Sequence, residues 1–187
     1  MRIAAKLKAR LKVVDVAETM PVRKIVKKYG DKFFETYNES YAELDGFAPI
    51  TKKQQKNILK QFATVINRRY FSCLIDEKGD CAGFAVVLPS IAEALKKSRG
   101  RLFPFGWIGV LKSIRKPKEL EMALLGVKKE YKFTGINSIL MVRMMCNIVE
   151  DDIRKIESNP MLETNFSIQQ NWKFAENDKK DNIICIG

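Results

Sequence analysis

Apolar side chains recur at helical spacing over most of the chain, and at strand spacing in a few short stretches. Ile3, Leu7 and Leu11 recur every four residues among lysines and arginines, which predicts a short basic amphipathic helix. Val13, Val14 and Val16 favour a short strand. Pro21 opens a helix whose apolar face is Val22, Ile25, Val26 and Tyr29. Gly30 is expected to interrupt it, and Phe33, Phe34, Tyr37 and Tyr41 resume the stripe. Gly46 and Pro49 mark a loop. Thr51 with Gln54 forms a capping box for a helix that buries Ile58, Leu59 and Phe62.

Two β-rich runs follow, Tyr70 to Ile75 and Cys81 to Leu88, joined by Glu77-Lys78-Gly79-Asp80. They predict an antiparallel hairpin. Pro89 ends it, Ser90 with Glu93 caps another helix, and Gly100 stops that one. Phe103 to Trp107 leads into a short helix closed by Pro117. A strand from Glu119 to Val127, a turn from Lys128 to Gly135 and a helix from Ile136 to Val149 come next. That helix carries only Arg143 as a polar residue between Ile139 and Cys146, so it is expected to be buried on most sides. Strands at Lys155 to Ser158 and Asn182 to Ile186 flank a break at Asn159-Pro160 and a helix from Glu163 to Ala175. The order predicts a mixed sheet with helices on both faces. With no internal repeat and no low-complexity linker, residues 1–187 read as one domain, with 1–30 as a basic helix and strand lead-in.

Composition narrows the chemistry. The 187 residues contain no histidine. Histidine-activated serine or cysteine nucleophiles and histidine-bearing zinc sites are therefore excluded, and four scattered cysteines make a poor thiolate site, so no metal is expected. Acid–base work falls to Glu, Asp, Tyr, Lys, Cys or water. Neither GxxxxGK[ST] nor GxGxxG occurs. The cysteines form no CxxC pair and read as reduced, inert thiols of a cytoplasmic protein. No apolar run is long enough to span a membrane. The net charge of +12 favours anionic partners. Part of it is local, since residues 1–30 hold nine Lys and Arg against Asp15 and Glu18. A solvated basic face, a phosphorylated cofactor and nucleic acid all fit that charge, but no nucleic-acid module accompanies it.

The stretch from Leu124 to Asn137 is the most informative. A strand that feeds a helix leaves the first helical N–H groups unpaired, and these together with the helix dipole favour a phosphate. Gly135 lets the backbone approach a ligand, and Lys132 adds charge.

The run Val127-x-x-x-Tyr131-Lys132-x-x-Gly135-Ile136-Asn137 resembles the cofactor motif of the GNAT N-acetyltransferases, a Gln/Arg-x-x-Gly-x-Gly/Ala turn. The resemblance extends to a bacterial GNAT-like subgroup through Tyr37-Asn38-Glu39-Ser40-Tyr41, Gly46 to Thr51, Gly100 to Trp107, and Glu157 to Asn165 with Gln169 and Trp172. In many relatives this region is the C-terminal half of a longer protein. The resemblance implies an α/β (α+β) fold with a mixed, mainly antiparallel central sheet flanked by helices on both faces. It also implies transfer of an acyl group from acetyl-CoA or another acyl-CoA to a small-molecule or peptide amine.

Residue by residue, Leu125 and Val127 would meet the pantetheine arm and polarise the thioester carbonyl. Lys132 and the backbone of Phe133, Thr134, Gly135, Ile136 and Asn137 would hold pyrophosphate. Asn165 would help to place the cofactor. Glu157 is the candidate base, or else the partner of a nearby lysine. Tyr41, Phe105 and Trp107 are candidates for the substrate pocket, although their spacing also fits packing. Lys132 stands in place of the family's Gln or Arg, Phe133 in place of a common glycine, and Phe174 in place of the usual tyrosine acid. A CoA-binding domain without turnover and a basic interaction domain remain alternatives. A homodimer is compatible with each reading.

Overall fold

The computed structural model describes residues 2–44, 46–101, 103, 105–153, 155–158, 176–178 and 183–185. The predicted helix from Glu163 to Ala175, with Asn165, Gln169, Trp172 and Phe174, lies outside the described residues.

The chain divides into two compact units. The first holds residues 1–86 and 124–147, the second 87–123 and 148–187. In the first, helix α1 (Arg2–Leu11) precedes the short strand β1 (Val14–Asp15). Helices α2 (Val22–Tyr41) and α3 (Lys52–Val65) follow. The hairpin forms as the sequence predicts, from β2 (Phe71–Ile75) and β3 (Cys81–Pro89), with Cys73 opposite Phe84 and a bulge after Leu74. Strand β4 (Glu119–Val127) from Leu124 on, and helix α6 (Ile136–Glu150) as far as Asn147, complete this unit, whose strand order is β1-β2-β3-β4.

Glycine positions show how tightly this unit is layered. A Cβ on Gly83 would stand 2.9 Å from Ile136 Cγ2 and 3.4 Å from Leu140, so α6 packs directly on β3. Phe84, the next residue, faces the other way and meets Phe33 of α2 with ring centroids 4.2 Å apart. Helices therefore cover both faces, as alternation along a buried strand requires. Gly30 does not interrupt α2, which runs unbroken for 20 residues. A Cβ there would lie 2.7 Å from Leu59 Cδ1, so the glycine serves close approach to α3 rather than a helix stop. The Thr51–Gln54 box forms, with Thr51 N–H donating to Gln54 Oε1 at 2.9 Å and Gln54 N–H to Thr51 Oγ1 at 3.4 Å.

The single polar residue in the apolar stretch of α6 has a structural purpose. The Arg143 guanidinium donates to the carbonyls of Phe71, Ala17 and Arg68, and to Asp15 Oδ2 at 3.4 Å. Asp15 is 1% exposed and also accepts from Ala17 N–H, Cys73 N–H and the Ser72 hydroxyl. The network ties α6, β1 and β2 together through groups that burial would otherwise leave unpaired.

The second unit contains α4 (Ala92–Lys97), α5 (Gly106–Arg115), the first half of β4, β5 (Lys155–Ser158), β6 (Glu176–Asp178) and β7 (Ile183–Cys185). Strand β5 pairs in parallel with β4, Glu119 opposite Lys155 through Met122 opposite Ser158. It pairs antiparallel with β7, which pairs antiparallel with β6. Strand β6 has no counterpart in the sequence reading. Ser90 does not box with Glu93: its hydroxyl donates to Glu121 Oε1 at 2.6 Å, and the residue that starts α4 is Ile91.

Candidate functional site

The segment after β4 forms a strand, turn and helix start within the first unit. Lys128 N–H donates to Ala82 O, which keeps the end of β4 on β3. A 3-10 turn at Lys129–Tyr131 follows, then Phe133 at φ +64 and Gly135 at φ +98, then α6. The first intrahelical bond of α6 runs from Ile139 N–H to Gly135 O, so the N–H groups of Ile136, Asn137 and Ser138 have no acceptor within the helix. Phe133 is 95% exposed, so its ring lies in solvent rather than over those amides. Gly135 meets α1: a Cβ there would lie 3.5 Å from Leu7, and Arg10 donates to Thr134 O at 3.4 Å.

The turn is pinned from the hairpin. Tyr131 donates its hydroxyl to Asp76 Oδ2 at 2.9 Å. Burial first, then the Asp76 carboxylate, push the Tyr131 phenol up to about 12. Lys128 bridges Glu130 at 3.0 Å and Asp80 at 3.1 Å, and these contacts hold its ammonium well above its usual range. Lys132 is not free to meet an anion. Its ammonium pairs with Glu43 at 3.5 Å, and Lys129 reaches the same carboxylate at 3.2 Å. Lys129, then Lys132, hold the Glu43 carboxyl below its ordinary value.

The C-terminal end of α2 supplies the rest. In the phrase Tyr37-Asn38-Glu39-Ser40-Tyr41 every polar side chain after Tyr37 holds backbone at or near the site. Asn38 accepts from Ile50 N–H, Glu39 from Lys129 N–H at 2.6 Å, and Ser40 donates to Val127 O at 2.9 Å. The Tyr41 hydroxyl donates to Leu125 O at 3.1 Å and accepts from Leu125 N–H at 3.4 Å. Leu125 is thus expected to offer an amide to a thioester, but that amide carries a tyrosine hydroxyl. Burial raises the Tyr41 phenol above its ordinary value, partly offset by the Leu125 hydrogen bond. Neither Glu39 on α2 nor Glu43 in the turn after it shows in sequence as a partner of lysines almost 90 residues away.

The remaining predicted residues belong to the second unit. Glu157 on β5 accepts from Lys155 Nζ at 3.0 Å, and Lys155 also pairs with Glu119 at 3.4 Å. The parallel register sets Glu121 directly beside Glu157. Alternation of Glu119 and Glu121 with buried Leu120 and Met122 is the sequence signal for that face. Phe105 and Trp107 are 74% and 46% exposed at the start of α5. Among the described residues no group of three or more His, Cys, Asp or Glu could hold a metal ion, and no helix is long and apolar enough to cross a membrane.

Comparison with solved structures decides what this architecture is. A GNAT-family acetyltransferase from Staphylococcus aureus Mu50 superposes with a TM-score of 0.52 at 11% identity, covering 81% of each chain. The chain has the GNAT acetyltransferase fold. A second GNAT-like neighbour is the diaminobutyrate acetyltransferase EctA of Paenibacillus lautus, solved with L-2,4-diaminobutyric acid and coenzyme A. It superposes at TM-score 0.51 and 14% identity, over 86% of this chain and 72% of that one. No family model matches the sequence. Among curated proteins, a bacterial ceramide synthase of Caulobacter vibrioides is 31% identical over 115 residues, 59% of this chain and 29% of that protein. The chain spans about a third of the length of the curated relatives it matches.

Proposed function

We propose that this chain transfers an acyl group from acyl-CoA to an amine. The carrying observation is the β4 turn in a GNAT fold: positive φ at Phe133 and Gly135 opens the start of α6, and the Phe133 ring stays clear of it. That donor set suits a pyrophosphate. Backbone amides of Phe133, Thr134, Gly135, Ile136 and Asn137 would hold it, with Lys132 once Glu43 yields, and Asn165 would help to place the cofactor. EctA, which carries coenzyme A and an amine in its structure, supports the cofactor and the substrate class.

In the reaction the amine nitrogen forms a bond to the thioester carbonyl carbon and the carbon–sulfur bond breaks. The nitrogen gives up a proton, and the departing thiolate takes one. Leu125 and Val127 would align the pantetheine arm and carbonyl. Tyr41, kept protonated by burial and already hydrogen-bonded at Leu125, is suited to donate toward the carbonyl oxygen or the sulfur. It would fill the acid role that Phe174 lacks. Glu157 is the proposed base, released from Lys155 when substrate binds, and Phe105 and Trp107 would wall the acceptor side. The acceptor is a small-molecule or peptide amine, and the chain would act in the cytoplasm as one domain over residues 1–187.

Isothermal titration with CoA esters tests the binding, and release of free thiol over an amine panel tests the turnover. Tyr41→Phe should lower turnover about 10²-fold with donor affinity within about threefold. Absence of heat with every CoA ester would sink the proposal.

A further inference from the structure

The first unit carries a partly open apolar pocket with more space than an acetyl group needs. A cavity of about 210 Å³ lies among α2, α3 and strands β2, β3 and β4. Val26, Phe33 and Tyr37 of α2, Ile58 of α3, and Cys73 and Leu124 of the sheet are among its walls, and among the described residues no charged side chain lines it. Gly30 lets Leu59 of α3 close over α2 beside it. Further along α2, Phe33 braces on Phe84 and Tyr37 stacks on Tyr41 with ring centroids 4.7 Å apart. An apolar cavity of roughly 150 Å³ already admits benzene and stays dry, so this one holds on the order of eight chain carbons.

The cavity adjoins the backbone where the proposed thioester would lie. Leu124 lines it, and the next residue, Leu125, carries the amide and carbonyl held by Tyr41. Tyr41 in turn stacks on Tyr37, another wall residue. A donor whose carbonyl sits at Leu125 starts its alkyl chain beside this space, whereas an acceptor's chain begins only beyond the nitrogen.

We propose that the cavity binds the alkyl chain of the acyl donor, so that the donor is a medium- or long-chain acyl thioester rather than acetyl-CoA. This rests on the transferase reading above. Burial of each methylene is worth about a fourfold gain in affinity. Affinity should therefore climb by up to that factor per carbon along a saturated acyl-CoA series from C2, then level off near C8 to C10.

The test is titration of the full chain with C2, C4, C6, C8, C10 and C12 acyl-CoA at monomeric concentrations. Decanoate and a C4 to C12 alkylamine series with acetyl-CoA present are titrated in parallel. Val26→Trp and Ile58→Trp start from half-buried positions and project bulk into the cavity; thermal melts report that each still folds. The expected result is a rising acyl series in the parent chain that both tryptophans flatten, with C2 affinity unchanged. A flat series with acetyl-CoA bound overturns the cavity assignment and leaves the transferase reading standing. A rising alkylamine series that the tryptophans flatten, beside a flat acyl series, overturns it in favour of the acceptor. If no CoA ester binds, the transferase reading fails, and the donor assignment falls with it. Decanoate then decides whether an alkyl site remains: binding lost in Val26→Trp keeps one, and no binding removes that too.

Discussion

Replacing Asp15 by alanine tests whether the Asp15–Arg143 network holds the first unit together. Asp15 is 1% exposed, and its carboxylate takes Ala17 N–H at 3.0 Å, Cys73 N–H at 3.2 Å, the Ser72 hydroxyl at 2.6 Å and Arg143 Nη1 at 3.4 Å. Its removal strands two backbone donors and a hydroxyl, at about 1 kcal/mol or more each where water cannot reach them. The arginine contributes less to the loss than the distance count suggests. Its contact with Asp15 is the longest of the four, and three backbone carbonyls keep its charge solvated. The expected cost is therefore about 3 to 4 kcal/mol, near the lower end for breaking a buried pair. In a chain of this length that corresponds to a fall in Tm of roughly 6–16 °C. Urea unfolding followed by far-ultraviolet circular dichroism measures it. Adding Arg143→Met should cost less than the sum of the single changes by about 1 to 2 kcal/mol, because the arginine has already lost its acid. A loss below about 1 kcal/mol for Asp15→Ala, or additivity within about 0.5 kcal/mol, would refute the reasoning.

Glu43→Gln should tighten CoA binding about two- to fivefold at low salt and less at high salt, because it releases Lys129 and Lys132 toward the phosphates; titration at two ionic strengths checks it. Tyr131 titrates near 12 in the folded chain against 10 when unfolded. The proton is thus held more tightly in the folded state, and the contribution is complete below pH 10 and disappears as pH rises through about 12. Parent and Tyr131→Phe melts should diverge only across that window, and equal slopes would count against the Asp76 contact. Phe103 and Phe105, 83% and 74% exposed, should each be replaceable by serine within about 0.5 kcal/mol in urea unfolding. A larger loss would mean that they pack on something.

Local pattern was enough for several elements whose signal lies within about ten residues. The hairpin, the Thr51–Gln54 box and the β4–turn–α6 unit all form where apolar period and turn residues place them. Gly30 was misread because a helix-stopping glycine and one that admits a neighbouring helix are the same residue in sequence, and only the position of Leu59 separates them. At Ser90 the oxygen accepts from Ala92 N–H at 3.4 Å while the hydroxyl donates to Glu121, 31 residues away, a partner that no local pattern names.

Periods, turns and the absence of histidine, and with them the range of chemistry open to the chain, are legible in the order and count of its residues. Those properties depend on neighbouring residues and on composition. The tertiary structure alone decided that Tyr41 sits on the Leu125 amide, that Glu43 claims Lys132, that Arg143 finds Asp15, and that α2 and α3 leave an apolar cavity beside β4. Each of these joins segments far apart in the chain. Their meeting is set by how whole layers pack, which no window along the sequence can report.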